Sequence, residues 1–422
     1  MQSRTSLALN PETPQIMHID LNSAFATTEQ QANPHLRGRP VGVTNRMSRF
    51  CCVIACSYEA KALGITTGMN LQEARALCPD FVMIETDPPK YRYMYNKLIG
   101  IMQSYTPKYK MKSIDEGLLD FHGTLGTVHH QSMAAIGLEI KQRLQDELGT
   151  WMRCNIGVAP NIWQAKLAAG LHKPDGLDII DHTNVRAVYA GLRLVELPYI
   201  KQKMEARLNA NNIFTPLQFL DAPEELLRKR VFKSVLGNDW YHKLRGYETD
   251  DRETNLGMVG RQYVLNIRTA DDEHLLPRFQ YLCQTTGMKL RFRGVDAYGL
   301  CVWARLQNGQ TFAAKKLFKA PFRSDQDIYT KALYLLNKRQ KHLVVATVGL
   351  YCYKLAPSGR NQVSLLDEIN KAVWLTEAVD TVNEKFGGFT VTYASALEGV
   401  RNVKQKIPFN STEYLQLLLN RQ

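Results

Sequence analysis

IMHIDLNSAFATTEQQ (16–31) passes from an apolar run into a helical pattern, and the residue at the junction is an acid. IMHID reads as a short strand ending at Asp20, and LNSAFATTEQQ as the start of a helix with Asn22 or Ser23 as its cap. Farther along, KYKMKSIDEGLLDF (108–121) reads as two short strands interrupted at Ser113 to Glu116, which places the adjacent Asp115 and Glu116 at a bend. In an unbroken strand such neighbours point to opposite faces, whereas a bend lets both approach one site. Taken alone, the pair also reads as ordinary turn acids of a hairpin. Three carboxylates converging on one point repel each other, and a pair of hard divalent ions is the physically sensible occupant. Mg²⁺ bridged to substrate phosphates is the usual solution, and two such ions suit in-line phosphoryl displacement.

Outward from these segments, 422 residues suggest two to four domains, and 45% hydrophobic with 22% charged residues describes an ordinary globular chain. Collagen-like, disulfide-scaffold and wholly disordered classes are excluded. The net charge of +13 favours a polyanionic partner, nucleic acid or an anionic membrane surface. No apolar run is long enough to span a membrane, and the first residues lack a secretory core, so a cytoplasmic protein is expected. The eight cysteines form no CxxC pair and sit mostly in apolar runs, as reduced buried thiols do.

The charge is regional. Residues 258–357 hold sixteen Lys or Arg against six acids, a surplus of +10. KLRFRG (289–294), YGLCVWARL (298–306) and AAKKLFKAPFR (313–323) alternate in period two, which predicts strands, with Lys289, Arg291 and Arg293 carried outward on one sheet face. A hairpin turn is expected at Gln307 to Gly309, and helices near 271–288 and 325–341, together making a compact α+β domain with a basic face. A merely solvated surface is the alternative reading.

HIDLNSAFATTEQ, ACSYEAKALGI, SIDEGLLD, NIGVAPNIWQAKLAAGLHKPDGL and QVSLL, in this order, resemble the motifs of Y-family translesion DNA polymerases, the bacterial DNA polymerase IV branch most of all. The resemblance runs from about Gln15 to Leu397. It implies an α+β multidomain right hand: palm at 15–25 and 88–180, fingers at 26–87, thumb at 181–250, little finger at 258–357, and a C-terminal tail at 358–422. It implies that Asp20, Asp115 and Glu116, with the carbonyl of Leu21, bind two Mg²⁺ ions, Mn²⁺ being a possible substitute. Phe25 falls at the steric gate that rejects a ribose 2′-hydroxyl, although a helix-core position is its reading without the family. Tyr58, Lys61 and Lys173 fall at triphosphate contacts. Lys61 stands where the family more often has Arg, Asn22 where an acid is frequent, and Ser23 where an aromatic or cysteine is. Lys166 reads as helix support or a DNA contact rather than a direct catalyst. Cys52, Ile54 and Ala55 read as a fingers strand over the nascent base pair, or as ordinary strand packing.

The basic segment suits gripping of primer–template DNA through its phosphates without base readout. In the thumb, Tyr199 to Gln202 lacks the glycine of the family's helix-hairpin-helix turn. Gln362, Leu365 and Leu366 within QVSLL resemble a peptide that docks on a sliding clamp, the alternative being a cap on the following helical stretch. The expected activity is template-directed DNA synthesis past damaged bases from deoxynucleoside triphosphates, of low fidelity and distributive, by a monomer. A catalytically silent DNA- or clamp-binding adaptor and a cyclic-nucleotide synthase on a similar palm are the rival classes. Retention of all three acids opposes the first, and the little-finger segment and clamp peptide oppose the second.

Overall fold

The computed structural model describes residues 7–48, 51–124, 131–250, 257–358 and 367–403. They fall into two compact units, one within Met1–Arg252 and the other within Glu253–Gln405. The first unit contains β1 (Ile16–Leu21), β2 (Val41–Thr44), β3 (Ala55–Cys56), β4 (Val82–Glu85), β5 (Tyr109–Met111), β6 (Glu116–Asp120), β7 (Cys154–Ala159) and β8 (Leu177–Ile179). The second contains β9 (Met258–Thr269), β10 (Val295–Leu306), β11 (Thr311–Phe322) and β12 (Val345–Pro357).

In the first unit a five-stranded sheet has the order β5-β6-β1-β7-β8. β1 is its centre, paired antiparallel with β6 and β7, which accounts for the near-continuous burial of IMHIDL. Ile16, His18 and Asp20 share one face by period two. Helix Ile162–Leu171 covers that face, with Trp163 and Ala165 in one core cluster with Ile16. Asn161 starts the helix, its side chain accepting from the Gln164 amide at 2.7 Å. The helix lies close to β7 because residue 157 is glycine: a Cβ there would collide with the Ala165 carbonyl and the Ala169 amide. The same core continues into short helices Val185–Ala190, Gln202–Asn209, Pro216–Asp221 and Leu236–Leu244, around Tyr189, Leu208, Phe219 and Trp240.

A separate three-stranded sheet, β3-β2-β4, has its own small core of Val53, Cys56, Ile65 and Phe81. The strand expected from Cys52 is shorter than that: β3 begins at Ala55, and Cys52 makes only an isolated bridge to Asn70. Ser23 occupies the N-cap position of helix Ala24–Ala32, but with φ 49° and no capping side-chain bond, so the expected side-chain cap is not formed.

The second unit is an antiparallel sheet in the order β11-β10-β12-β9 with helices Asp272–Phe292 and Asp325–Leu336 packed on one face. Leu300, Val302, Ala304 and Leu306 point into that core, together with Phe279, Leu290, Leu335 and Leu350. The β10–β11 turn forms at Gln307 to Gly309 as expected, with Gly309 at φ 86°. KLRFRG is not a strand. Lys289 and Arg291 lie in the last turn of helix Asp272–Phe292, and Arg293 is its C-cap. Helix Asp367–Phe386 is tied to the end of helix Asp272–Phe292 by Asp380 and Arg291, and the segment after it packs on that helix, with Tyr281 against Phe389 and Gln284 bonded to Thr392. Among the described residues no helix is long and apolar enough to cross a membrane, and all eight cysteines are unpaired, seven of them buried.

Candidate active site

Asp20 and Glu116 face each other in the β1–β6 register, each one residue from a strand end or at it. The β5–β6 hairpin turns tightly, with the amides of Lys112 and Ser113 both donating to the Glu116 carbonyl, and the Leu21 amide donating to the Asp115 carbonyl at 2.9 Å. This turn brings Asp115 next to Asp20 and Glu116 although the two neighbours start from opposite sides of the chain. Ligand-capable atoms of His18, Asp20 and Glu116 all lie within 4.8 Å of one another. The Asp115 carboxyl stands outside that cluster and accepts from the Ser113 hydroxyl. Burial, together with the charges of Asp20 and Glu116, pushes it above the ordinary carboxylate range despite the Ser113 bond.

Two lysines already sit on these acids. Lys173 Nζ donates to Asp20 Oδ2 at 2.6 Å, and Lys166 Nζ donates to Glu116 Oε2. His18 Nε2 lies 3.2 Å from the same Oε2. Burial works to raise the Glu116 carboxyl, but the hydrogen bonds from His18 and Lys166 outweigh it and hold the group at about 2. Burial lowers the His18 imidazole below its usual value, against the pull of Glu116. The carboxylates of Asp20, Asp115 and Glu116 offer the oxygen donors that hard divalent cations take, and the ammonium groups of Lys166 and Lys173 balance part of their charge.

The expected nucleotide contacts gather on the same side. Lys61 Nζ donates to Ser23 Oγ at 2.7 Å and lies 4.4 Å over the Tyr58 ring. Burial lowers Lys61, with Lys173 adding to that and Cys56 and Asp20 opposing it. The Tyr58 phenol is pushed up to about 12 by burial and by the Asp20 charge. Asn22 is a structural joint: Nδ2 donates to Asn155 Oδ1 and Oδ1 accepts from the Asp175 amide, both at 2.8 Å, which ties the end of β1 to the loop bearing Lys173. Phe25 is 3% exposed and stacks on Tyr91, centroids 4.4 Å apart. Tyr91 in turn donates to Glu29 Oε1 at 2.7 Å, and Lys90 pairs with the same carboxylate.

Sequence reasoning missed His18 and did not pair Lys166 with Glu116. His18 was signalled by its place two residues before Asp20, on one strand face. Lys166 was signalled by being the single charge in IWQAKLAAGL, a helix otherwise apolar or buried nearly all round, where a cation requires an acid.

The strand expected to carry Lys289, Arg291 and Arg293 outward is corrected: these residues end a helix, and Arg291 is turned to acids of its own unit. Arg291, 9% exposed, is bonded to Asp380 at 2.5 and 2.8 Å, to Asp325 at 2.7 Å and to the Arg323 carbonyl. Lys289 is pushed down to about 8 by burial and by the charges of Arg261 and Arg293. Exposed cations lie on β11, at Lys315, Lys316 and Lys319. By register Lys315 is opposite Cys301 and Tyr351, on the sheet face away from the helices. Trp303, Arg305 and Tyr353 share that face, with Trp303 lying over Gly349 and Tyr353 over Gly299. Gln362, Leu365 and Leu366 lie outside the described residues.

Residues 19–170 match the model of the impB/mucB/samB family, and residues 258–365 that of its C-terminal domain. The DNA polymerase IV of Moorella thermoacetica is 30% identical over 393 residues, 91% of this chain and 96% of the relative. The chain belongs to this family of Y-family DNA polymerases. DNA polymerase IV 1 of Bacillus subtilis is 27% identical over 94% of this chain and 96% of its own length. Among solved structures, a Y-family chimera of Dbh and Dpo4 aligns over 81% of this chain and 99% of its own, with TM-score 0.68 and 24% identity. An insertion ternary complex of Dbh DNA polymerase aligns over 80% of this chain and 98% of its own, with TM-score 0.56 and 24% identity. The right-hand architecture of palm, fingers, thumb and little finger is therefore that of this Y-family polymerase, and it is a DNA-directed DNA polymerase.

Proposed function

We propose that the enzyme copies damaged templates by two-metal nucleotidyl transfer, distributively and with low fidelity. The observation that carries this reading is the juxtaposition of Asp20 and Glu116 across the β1–β6 ladder, with Asp115 one residue away. Asp20, Asp115, Glu116 and the Leu21 carbonyl would hold two Mg²⁺ ions, with Mn²⁺ as a substitute. When bound, such ions stabilise charge on the attacking and leaving oxygens. Lys61 and Lys173, which repel each other electrostatically, are placed for the triphosphate, and Tyr58 lies beneath Lys61. Lys173 then exchanges the Asp20 carboxylate for a phosphate oxygen. The Phe25 ring, fixed from behind by Tyr91, serves as the sugar gate.

The palm is assigned to 15–25 and 88–180, the fingers to 26–87, the thumb to 181–250 and the little finger to 258–357. Primer–template binding is assigned to the open sheet face around Lys315, and sliding-clamp docking to Gln362, Leu365 and Leu366; the active form is a monomer. Primer extension with Mg²⁺ and four deoxynucleotides tests the reading beside Asp115→Asn at matched DNA binding. Extension by wild type alone is expected. Extension by both removes Asp115 from the chemistry, and extension by neither, with tight DNA binding and clamp present, favours the adaptor.

A further inference from the structure

We propose that His18 and Lys166 are positioning residues that decide which oxygen of Glu116 meets a divalent cation. Both address Oε2, His18 Nε2 from 3.2 Å and Lys166 Nζ from the covering helix. Oε1 is thereby left as the ligating atom. This rests on the metal-site reading above.

Three observations support orientation over a general structural role. His18 is 1% exposed on β1, the central strand, so its ring cannot swing aside. Its second nitrogen, Nδ1, is buried without a hydrogen-bond partner, so Glu116 is the one polar group that the ring addresses among the described residues. A carboxylate only accepts, so Nε2 carries the proton in this contact and Nδ1 is the lone-pair nitrogen, the cheaper of the two to leave unpaired. A protonated Nε2 has no lone pair for a metal, which makes His18 an orienting group although it lies within the cluster of possible ligands. Lys166 supplies the second fixed contact from a helix whose distance is set by Gly157. Groups that orient a metal's ligands in this way typically change metal affinity about 10- to 100-fold when removed.

The test titrates Mn²⁺ alone, by electron paramagnetic resonance of the free ion, into the full chain bound to a dideoxy-terminated primer–template. His18→Leu and Lys166→Met are each expected to weaken Mn²⁺ binding about tenfold or more, with His18→Gln and Lys166→Arg recovering most of it. Unchanged binding in both removal variants, with cooperative unfolding retained, overturns the proposal. Tighter binding in Lys166→Met also overturns it, because the lysine would then compete with the metal. Should His18→Leu fail to fold, Lys166→Met, whose side chain is 26% exposed, decides alone. Asp20→Asn separates the two readings: if it binds Mn²⁺ as wild type does, the metal-site reading fails first and this one with it.

Discussion

Replacing Arg291 by Met tests whether this guanidinium fastens the C-terminal segment or grips DNA. It is 9% exposed and makes a fork to Asp380 together with a bond to Asp325, itself 14% exposed. Removing one partner of a buried pair leaves its counter-charges uncompensated and costs about 3–5 kcal/mol. For a unit of this size that corresponds to a melting shift on the order of 10 °C. The loss is expected to depend on pH. Burial already pushes the Asp325 carboxyl up to about 6, the Arg291 charge pulling it back only in part. An acid with a raised folded-state pKa binds its proton more tightly in the native state. Its penalty is therefore present above that pKa and relieved as pH falls through it. Without Arg291 the group rises further, so the deficit of Arg291→Met is larger at pH 8 than at pH 6. Thermal unfolding at both pH values, with limited proteolysis at helix Asp367–Phe386, reads the effect. Unchanged stability with weaker primer–template binding and a shallower salt dependence refutes the reasoning and restores Arg291 as a DNA contact.

Gly157→Ala is expected to cost about 3 kcal/mol, because the obstacles to its Cβ are backbone atoms of helix Ile162–Leu171 rather than movable side chains; a urea midpoint equal to wild type shows that the helix can retreat. Phe25→Ala should admit ribonucleotides while leaving DNA synthesis measurable, and Tyr91→Ala should loosen the same discrimination from behind the ring. Ribonucleotide incorporation no greater than wild type in Phe25→Ala removes the gate assignment. Lys315→Ala with Lys319→Ala should lower the slope of log binding against log salt by about 2, as two phosphate contacts are lost; an unaltered slope moves the DNA face elsewhere.

The acids and the strand ends that carry them were legible because each lies in a short segment whose own pattern is local: IMHID before a helix, SIDEG between two strands. What was not legible depended on partners far along the chain. Glu116 and Lys166 are fifty residues apart, and only the packing of the covering helix joins them. The reading of KLRFRG failed for a different reason. Its alternation fits period two over six residues, but Leu275, Phe279, Leu282 and Leu290 are buried at helical spacing from upstream, and the helix simply continues through Phe292. A longer window contains the helical period that the short one hides. Arg291 then turns inward because a helix end, unlike a strand, offers it Asp325 and Asp380 together.

The sheet face bearing Trp303 and Tyr353 has a consequence for how this surface can change over generations. A Cβ on Gly349 would stand 2.6 Å from the Trp303 ring, and one on Gly299 2.5 Å from that of Tyr353. Each glycine and its ring therefore form one steric unit, in which a side chain added at the glycine requires the ring to move. An alanine at either glycine lifts the ring off the sheet, and a smaller residue at either ring position uncovers bare backbone. Variation of this surface is thus channelled towards the cations around the rings, whose replacement alters charge without disturbing shape.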